Sequence, residues 1–191
     1  APGCSDHCPG DEAARLADAC GAKVVGLHAH TGSGMLQADN WEDVAARLID
    51  ASARFPAVRV LDLGGGLGIP ENPGQKPLDM AALDASLAAA RQQLQGFELW
   101  LEPGRYVIAQ AGVLLATVTQ VKGKGEVRYV GVSTGMNSLI RPALYGAYHE
   151  IANLSRVGEH ATELVSIVGP ICETGDRLGS DRLLPPTVEG D

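Results

Sequence analysis

Hydrophobic and polar positions follow two spacings in the first half of the chain. Segments starting at Asp11, Asn40 and Asp79 carry apolar residues at helical spacing. Each is followed by a short, mostly apolar run of the kind that forms a buried strand. These runs are residues 24–30, 58–63 and 97–101. Helix followed by strand, three times over, predicts parallel strands with helices packed outside them.

The ends of these helices carry local signals. Gly21 occupies a C-terminal cap position, Asn40 and Asp79 can cap the starts of the second and third helices, and Pro56 ends the second. The spacing also predicts which side chains face inward. They are Trp41, Val44, Leu48, Ala51 and Phe55 in the second helix, and Met80, Leu83, Leu87 and Leu94 in the third.

The pattern changes after Arg105. Residues 106–120 form a long apolar run, residues 126–132 and 163–168 have strand character, and helices no longer alternate with strands. We therefore predict an α/β fold in which residues 1–112 are part of a (β/α)8 TIM-type barrel and residues 113–191 are part of a mostly β C-terminal domain. Such a barrel needs about 250 residues, so we expect both domains to be incomplete pieces of a longer protein.

Composition narrows the class of partner. The chain has 191 residues, 45% of them hydrophobic, and a formal net charge of −8. This acidic balance argues against nucleic acid or an anionic membrane, and favours a small-molecule ligand. No stretch approaches the roughly 20 apolar residues of a membrane span, so we expect a cytoplasmic protein. Cys4, His7 and Cys8 are expected to be loop residues without a metal.

Chemically distinctive residues follow each predicted strand. His30 and Ser33 follow the first, three glycines (64–66) the second, and Glu102 and Arg105 the third. A parallel barrel builds its active site from the loops at this end of its strands. A glycine turn lets backbone N–H groups approach an oxyanion, which predicts a bound phosphate, although a plain tight turn is the alternative.

A metal site is a second reading of the first strand. His28 and His30 lie on one face of the strand, as in the His-x-His start of metal-dependent amidohydrolases. That chemistry needs further ligands after later strands, where this chain offers glycines and Glu102. We therefore predict no metal and keep hydrolysis as a remote alternative.

Five motifs, in this order, resemble the successive signatures of the diaminopimelate decarboxylases, pyridoxal-phosphate enzymes of the alanine-racemase-like barrel group. The resemblance extends from about residue 24 to residue 185, and residues 134–139 are most similar to the decarboxylase half of bifunctional aspartate kinase/decarboxylase proteins. The motifs are residues 30–33, 64–66, 102–105, 135–145 and 172–176.

The resemblance implies a pyridoxal 5'-phosphate site. His30 would stack on the cofactor ring, and Glu102 would hold the ring nitrogen protonated, while His28 would be structural. The remaining cofactor-binding positions form the phosphate cup of the family. They are Ser33, Gly64, Gly65, Gly66, Gly104 and Arg105.

The resemblance also implies a shared substrate site in a homodimer. Arg105, Arg141, Tyr145 and Glu173 would bind meso-diaminopimelate, and an arginine fork does suit a carboxylate. Cys172 would donate a proton across the subunit interface, so that Cys172, His30 and Glu102 are the implied catalytic residues.

The chain departs from the family pattern in its lysines. The family carries a Schiff-base lysine after the first barrel strand, and Lys23, Lys76, Lys122 and Lys124 do not stand in such a place. We expect decarboxylation of diaminopimelate to L-lysine by the complete protein. Decarboxylation of ornithine or arginine, or a non-catalytic regulatory homologue, are the alternatives.

Overall fold

The computed structural model describes residues 9–93, 95–124 and 127–191, which form two compact units. The first unit contains the described part of Ala1–Pro70 together with Gly74–Gly112. The second contains Glu71–Pro73 and the described part of Val113–Asp191. Cys4, His7, Cys8 and Leu94, which the sequence analysis named, lie outside the described residues.

Helices and strands alternate in the first unit, with strands shorter than the apolar runs that predict them. The elements are α1 (Pro9–Ala19), β1 (Gly26–His28), α2 (Asn40–Ser52), β2 (Val60–Asp62), α3 (Met80–Gln93), β3 (Glu98–Trp100), α4 (Gly104–Ile108) and a 3-10 turn, Ala109–Ala111.

The three strands of the first unit form one parallel sheet in the order β1-β2-β3. His28 pairs in register with Asp62, and Asp62 with Trp100. The predicted parallel arrangement is confirmed. The architecture is mixed α/β, and the described residues hold three strands of this sheet rather than a closed barrel.

The core of the first unit lies between β2 and the inner faces of α2 and α3. Trp41, Leu61 and Leu63 are almost fully buried, as are Val44 and Leu83. One inward prediction is wrong: Met80 is 46% exposed because it is the first residue of α3. Phe55 is half-buried but lies beyond the end of α2 at Ser52.

Helix ends in the first unit follow the sequence signals with two exceptions. α2 ends at Ser52, before the end predicted at Pro56. Asp79 Oδ1 accepts hydrogen bonds from the N–H groups of Ala81 and Ala82, at 2.9 and 3.1 Å, and so caps α3 as predicted. Asn40 does not cap α2. It is the first residue of that helix, and its side-chain amide donates instead to Thr31 Oγ1 at 3.0 Å.

The second unit is a four-stranded mixed sheet in the order β4-β5-β6-β7. β5 and β6 are parallel, and the two outer pairs are antiparallel. Its core consists of aliphatic side chains such as Val130, Val165 and Ile167. The elements are β4 (Val118–Lys124), β5 (Val127–Val132), α5 (Arg141–Tyr145), a 3-10 turn (Leu154–Arg156), β6 (Glu163–Val168) and β7 (Arg177–Leu184).

The sequence pattern predicted β5 and β6 but missed the two edge strands. β4 (Val118–Lys124) begins inside the long apolar run of residues 106–120, where no turn residue marks the start of a strand. β7 includes Arg177, Asp181 and Arg182, it has irregular register with β6, and Asp181 adopts a positive φ of 52°. Such a strand lacks the alternation on which prediction depends.

No helix in the described ranges is long and apolar enough to cross a membrane. The cytoplasmic location stays a prediction.

A carboxylate ties the last described residues to the 3-10 turn of the second unit. Asp191 Oδ2 accepts hydrogen bonds from the Val188 N–H at 3.0 Å, from Arg156 Nε at 2.8 Å and from Asn153 Nδ2 at 3.0 Å. These donors, the Val188 N–H first, lower the pKa of Asp191 from 3.8 to about 2. Because the ionised form is the bonded one, its stabilising effect is complete above pH 3.8 and is lost as the pH falls towards 2.

We therefore predict that Asp191→Asn lowers the unfolding temperature at neutral pH, and that this difference shrinks as the pH falls from 4 towards 2. Thermal unfolding followed by circular dichroism at several pH values measures the effect. Asp181→Asn is the matched control, because Asp181 is exposed and Asn tolerates its positive φ. A difference that stays constant with pH would contradict the role of the ionised carboxylate.

Candidate active site

The loops after β1, β2 and β3 stay hydrogen-bonded to one another beyond the ends of the strands. Ala29 N–H donates to the Asp62 carbonyl, Leu63 N–H to the Trp100 carbonyl and Glu102 N–H to the Gly64 carbonyl, each at 3.0 Å. The residues that follow the three strands are therefore held side by side. This arrangement gathers chemically different side chains at one edge of the sheet.

A cavity of about 360 Å³ opens at this edge, which is within the size range of small-molecule sites. Most of the residues predicted to bind a cofactor line it, whereas Gly64 does not. His28, Gly34 and Leu67 also line it and were not assigned to the site from sequence. The full lining is His28, His30, Ser33, Gly34, Gly65, Gly66, Leu67, Glu102, Gly104 and Arg105.

The glycine turn between β2 and residue 67 packs against both neighbouring loops. A Cβ on Gly65 would collide with the Glu102 carbonyl, and one on Gly66 would collide with the Gly32 carbonyl. Gly64 and Gly66 also have positive φ values, 71° and 91°. Side chains are excluded here because three loops meet at backbone contact distance.

The turn uses some of its N–H groups inside the protein, which differs from the expectation that they donate to a phosphate. Gly64 N–H donates to Asp62 Oδ1 at 2.9 Å, and Gly65 N–H to His30 Nδ1 at 3.2 Å. Gly104 N–H donates to the Glu102 carbonyl at 2.8 Å. These bonds fix the shape of the cavity wall. Among the residues predicted for the phosphate cup, the Gly66 N–H and the Ser33 hydroxyl are candidate donors, and Arg105 adds a positive charge.

His30 is oriented by the same turn. Because Nδ1 accepts the Gly65 N–H, the ring carries its proton on Nε2 when this hydrogen bond is made. The backbone of the second loop therefore fixes the ring of the first. His30 lies in the cavity wall in one defined orientation.

Glu102 is paired with a residue that the sequence analysis regarded as structural. His28 Nε2 lies 3.1 Å from Glu102 Oε2, and both side chains are about half exposed, at 51% and 55%. Asp62 joins them, since ligand atoms of His28, Asp62 and Glu102 all lie within 4.8 Å of one another. The sequence analysis did not assign Asp62 to the site, although pairing the apolar runs at residues 24–30 and 58–63 places it beside His28.

Of the predicted substrate residues, Arg105 lies in the first unit, whereas Arg141, Tyr145 and Glu173 lie in the second. Arg141 begins α5, and its guanidinium bonds Glu71 Oε1 at 2.9 Å and His149 Nε2 at 3.2 Å. Tyr145 is one turn further along α5 and is exposed. Arg141 is half-buried and held in place, rather than being a free surface cation.

Cys172 and Glu173 lie in an exposed turn between β6 and β7, and Cys172 is a free thiol. Asp176 anchors this turn. It is 3% exposed, and it accepts hydrogen bonds from the Met136 N–H at 2.6 Å and the Ile171 N–H at 2.7 Å. These bonds hold the turn in place, and the bond from Met136 links residues 135–138 to it.

Lys23 is exposed and precedes β1, so it lies at the opposite end of that strand from the cavity. It does not reach the edge where His30 and Glu102 meet.

Comparison with known proteins defines the class. The family model described as "Pyridoxal-dependent decarboxylase, C-terminal sheet domain" matches residues 48–191. The match includes the glycine turn, Glu102 and the whole of the second unit. The chain therefore belongs to the pyridoxal-dependent decarboxylase family.

Several relatives are named diaminopimelate decarboxylase. The diaminopimelate decarboxylase of Methanothermobacter thermautotrophicus is 36% identical over 191 aligned residues, covering 94% of this chain and 44% of that protein. A crystal structure of diaminopimelate decarboxylase matches with a TM-score of 0.82 and 30% identity, covering 95% of this chain and 47% of that one. The Helicobacter pylori enzyme complexed with L-lysine matches with a TM-score of 0.81 and 27% identity, covering 95% and 46%. The chain thus spans less than half the length of the relatives it matches.

The packing of the glycine turn yields a stability prediction. Gly65→Ala should lower the free energy of unfolding by about 1–3 kcal/mol, because the new methyl group forces the loop after β3 to move. Urea unfolding measures this change. Gly112→Ala is the control, because its Cβ would meet nothing within 4 Å and its backbone is extended. Equal stability of the two variants would show that the three loops are not packed as described.

Proposed function

We propose that the complete protein decarboxylates meso-2,6-diaminopimelate to L-lysine and CO2 with pyridoxal 5'-phosphate. The observation that carries this proposal is the cavity at the ends of three parallel strands, in which His30, Glu102 and Arg105 surround a glycine turn in a chain of this family. In this proposal the first unit is part of a (β/α)8 barrel that holds the cofactor. The second unit is a partial β domain that contributes substrate-binding and cross-subunit residues.

The cavity fits a flat ring with an anionic group. Gly65 and Gly66 line the cavity and carry no side chains, so an anion in the cavity can approach their backbone closely. The Gly66 N–H, the Ser33 hydroxyl and the positively charged Arg105 offer donors to a phosphate. Glu102 supplies the carboxylate of the cavity lining, which accepts hydrogen bonds rather than donating them.

The bound cofactor would supply an electron sink for the charge left by the loss of CO2. Glu102 is the acceptor that suits a protonated ring nitrogen, and a carboxylate there strengthens the electron withdrawal. His30, locked by the Gly65 N–H, would lie against the ring and limit its tilt.

Arg141 would bind a substrate carboxylate. Its contacts with Glu71 and His149 orient the guanidinium while using two of its five N–H donors. The negatively charged Glu173 suits an ammonium group, with Tyr145 and Arg105 completing the set. Together these charges match a substrate with an amine and a carboxylate at each end.

Cys172 would protonate the carbanion of a neighbouring subunit in a homodimer. The thiol is exposed and lies in a turn held by the buried Asp176. A donor that is fixed in position but accessible from outside its own chain is what a site shared between subunits requires.

We predict that Glu102→Gln in the complete protein retains the cofactor but loses most of its decarboxylation, because a neutral amide no longer holds the ring nitrogen protonated. CO2 release from diaminopimelate, together with absorbance of the bound cofactor, measures both quantities. Ornithine and arginine are assayed in parallel with the unmutated protein. Faster turnover of either would replace the substrate assignment, and no turnover of any would favour the non-catalytic homologue.

A second prediction concerns the homodimer. A Cys172→Ala subunit mixed with a Glu102→Gln subunit should recover activity, because one of the two sites in a mixed dimer has both groups intact. Each homodimer alone should be nearly inactive. Activity is measured after subunit exchange, with exchange verified by differently tagged subunits. No recovery in fully exchanged dimers would place Cys172 in its own subunit's site or outside catalysis.

A further inference from the structure

His28 is brought to Glu102 by the register of the sheet. His28 pairs with Asp62, and Asp62 pairs with Trp100. Glu102 is two residues beyond Trp100, and residues two apart point to the same side of an extended chain. The ends of the three strands thus bring His28, Asp62 and Glu102 into a row whose polar atoms lie within 4.8 Å of one another.

The contact between His28 and Glu102 is directional. Nε2 of His28 lies 3.1 Å from Oε2 of Glu102, within hydrogen-bond distance. A carboxylate only accepts hydrogen bonds, so the imidazole must carry the proton on Nε2 and donate it. Donation to Oε2 leaves Oε1 of Glu102 for a second donor.

His28 contributes little to the hydrophobic core. Its side chain is 51% exposed and lines the cavity. The imidazole faces the cavity and the Glu102 carboxylate.

Asp62 is the member of this row whose carboxylate is held by the backbone. Its Oδ1 accepts the Gly64 N–H at 2.9 Å, which fixes this carboxylate against the glycine turn. His28 therefore lies near one immobilised carboxylate and donates to a second one. Glu102 is on the exposed loop after β3, and the hydrogen bond from His28 is the side-chain contact that restrains its carboxylate among the described residues.

We propose that His28 is a positioning residue: by donating its Nε2 proton to Glu102, it holds the carboxylate in the orientation that serves the ring nitrogen of the cofactor. This inference rests on the proposed function, because it assigns to Glu102 the role given above. It changes the reading of His28 from a structural residue to one that acts through Glu102.

Two substitutions of His28 separate the effect of its hydrogen bond to Glu102 from the effect of its flat ring. His28→Phe keeps a flat ring but removes the donor. His28→Gln keeps an N–H donor near the position of Nε2. His160→Gln is the control, because His160 is an exposed histidine in the second unit.

In the complete protein, His28→Phe should lower kcat by about tenfold, the size expected for the loss of a hydrogen bond to a charged group. KM for the substrate should change little. The absorbance spectrum of bound pyridoxal phosphate should shift in the same direction as in Glu102→Gln. His28→Gln should stay within about threefold of the unmutated protein, and His160→Gln should match it.

A double-mutant cycle tests whether His28 acts through Glu102. In the Glu102→Gln background, His28→Phe should change neither the spectrum nor kcat further. Circular dichroism and cofactor binding establish that each variant is folded. Should His28→Phe fail to fold, His28→Ala, which also removes the donor, takes its place in both backgrounds.

The outcomes separate the two proposals. If the unmutated protein binds cofactor and decarboxylates but the effects of His28 and Glu102 simply add, the positioning role is wrong and the proposed function stands. An unchanged spectrum in His28→Phe has the same meaning. If the unmutated protein binds no pyridoxal phosphate, the proposed function fails and the inference fails with it.

Discussion

The first unit depends on how closely three loops approach one another at the glycine turn. Gly65 lies against the Glu102 carbonyl and Gly66 against the Gly32 carbonyl, so the loops after all three strands meet with no side chain between them. The N–H groups of the turn then bond to Asp62 and to His30. The same residues that permit the close approach therefore orient the side chains around the cavity.

A comparable constraint organises the loops of the second unit. Asp176 is a buried carboxylate whose oxygens accept N–H groups from Met136 and Ile171. Gly135 and Gly169 pack so closely against it that a Cβ on either would collide with the carboxylate. The buried Asp176 thus holds in place the turn that carries Cys172 and Glu173. In both units, glycines let neighbouring loops approach closely, and a carboxylate or imidazole accepts the backbone hydrogen bonds that hold the loops together.

The histidine that ends β1 and the one two residues after it have different partners. His30 accepts a backbone N–H, whereas His28 donates to a carboxylate. The row of His28, Asp62 and Glu102 has the side-chain types that bind metal ions. Membership of a pyridoxal-dependent family favours a cofactor-related role for it instead.

Local sequence signals determined much of the fold. Apolar spacing predicted α2, α3 and the parallel strands, because one face of each helix must be buried and the chain must return between strands. Asp79 and Gly21 acted as caps because their effects involve only neighbouring residues: Asp79 bonds Ala81 and Ala82, and Gly21 has a φ of 68° just after α1. The five motifs indicated the family, and three of them supply residues that line the cavity.

Tertiary structure decided the partners. Asn40 lost its capping role to Thr31, and Glu102 was paired with His28, 74 residues away. Arg141 was oriented by Glu71, 70 residues away. β7 formed despite its charged residues because its backbone pairs with the edge of β6. These outcomes depend on strand register and loop packing, which no local pattern encodes. Sequence therefore specified which groups reach the site, and the assembled sheet specified which of them bond to each other.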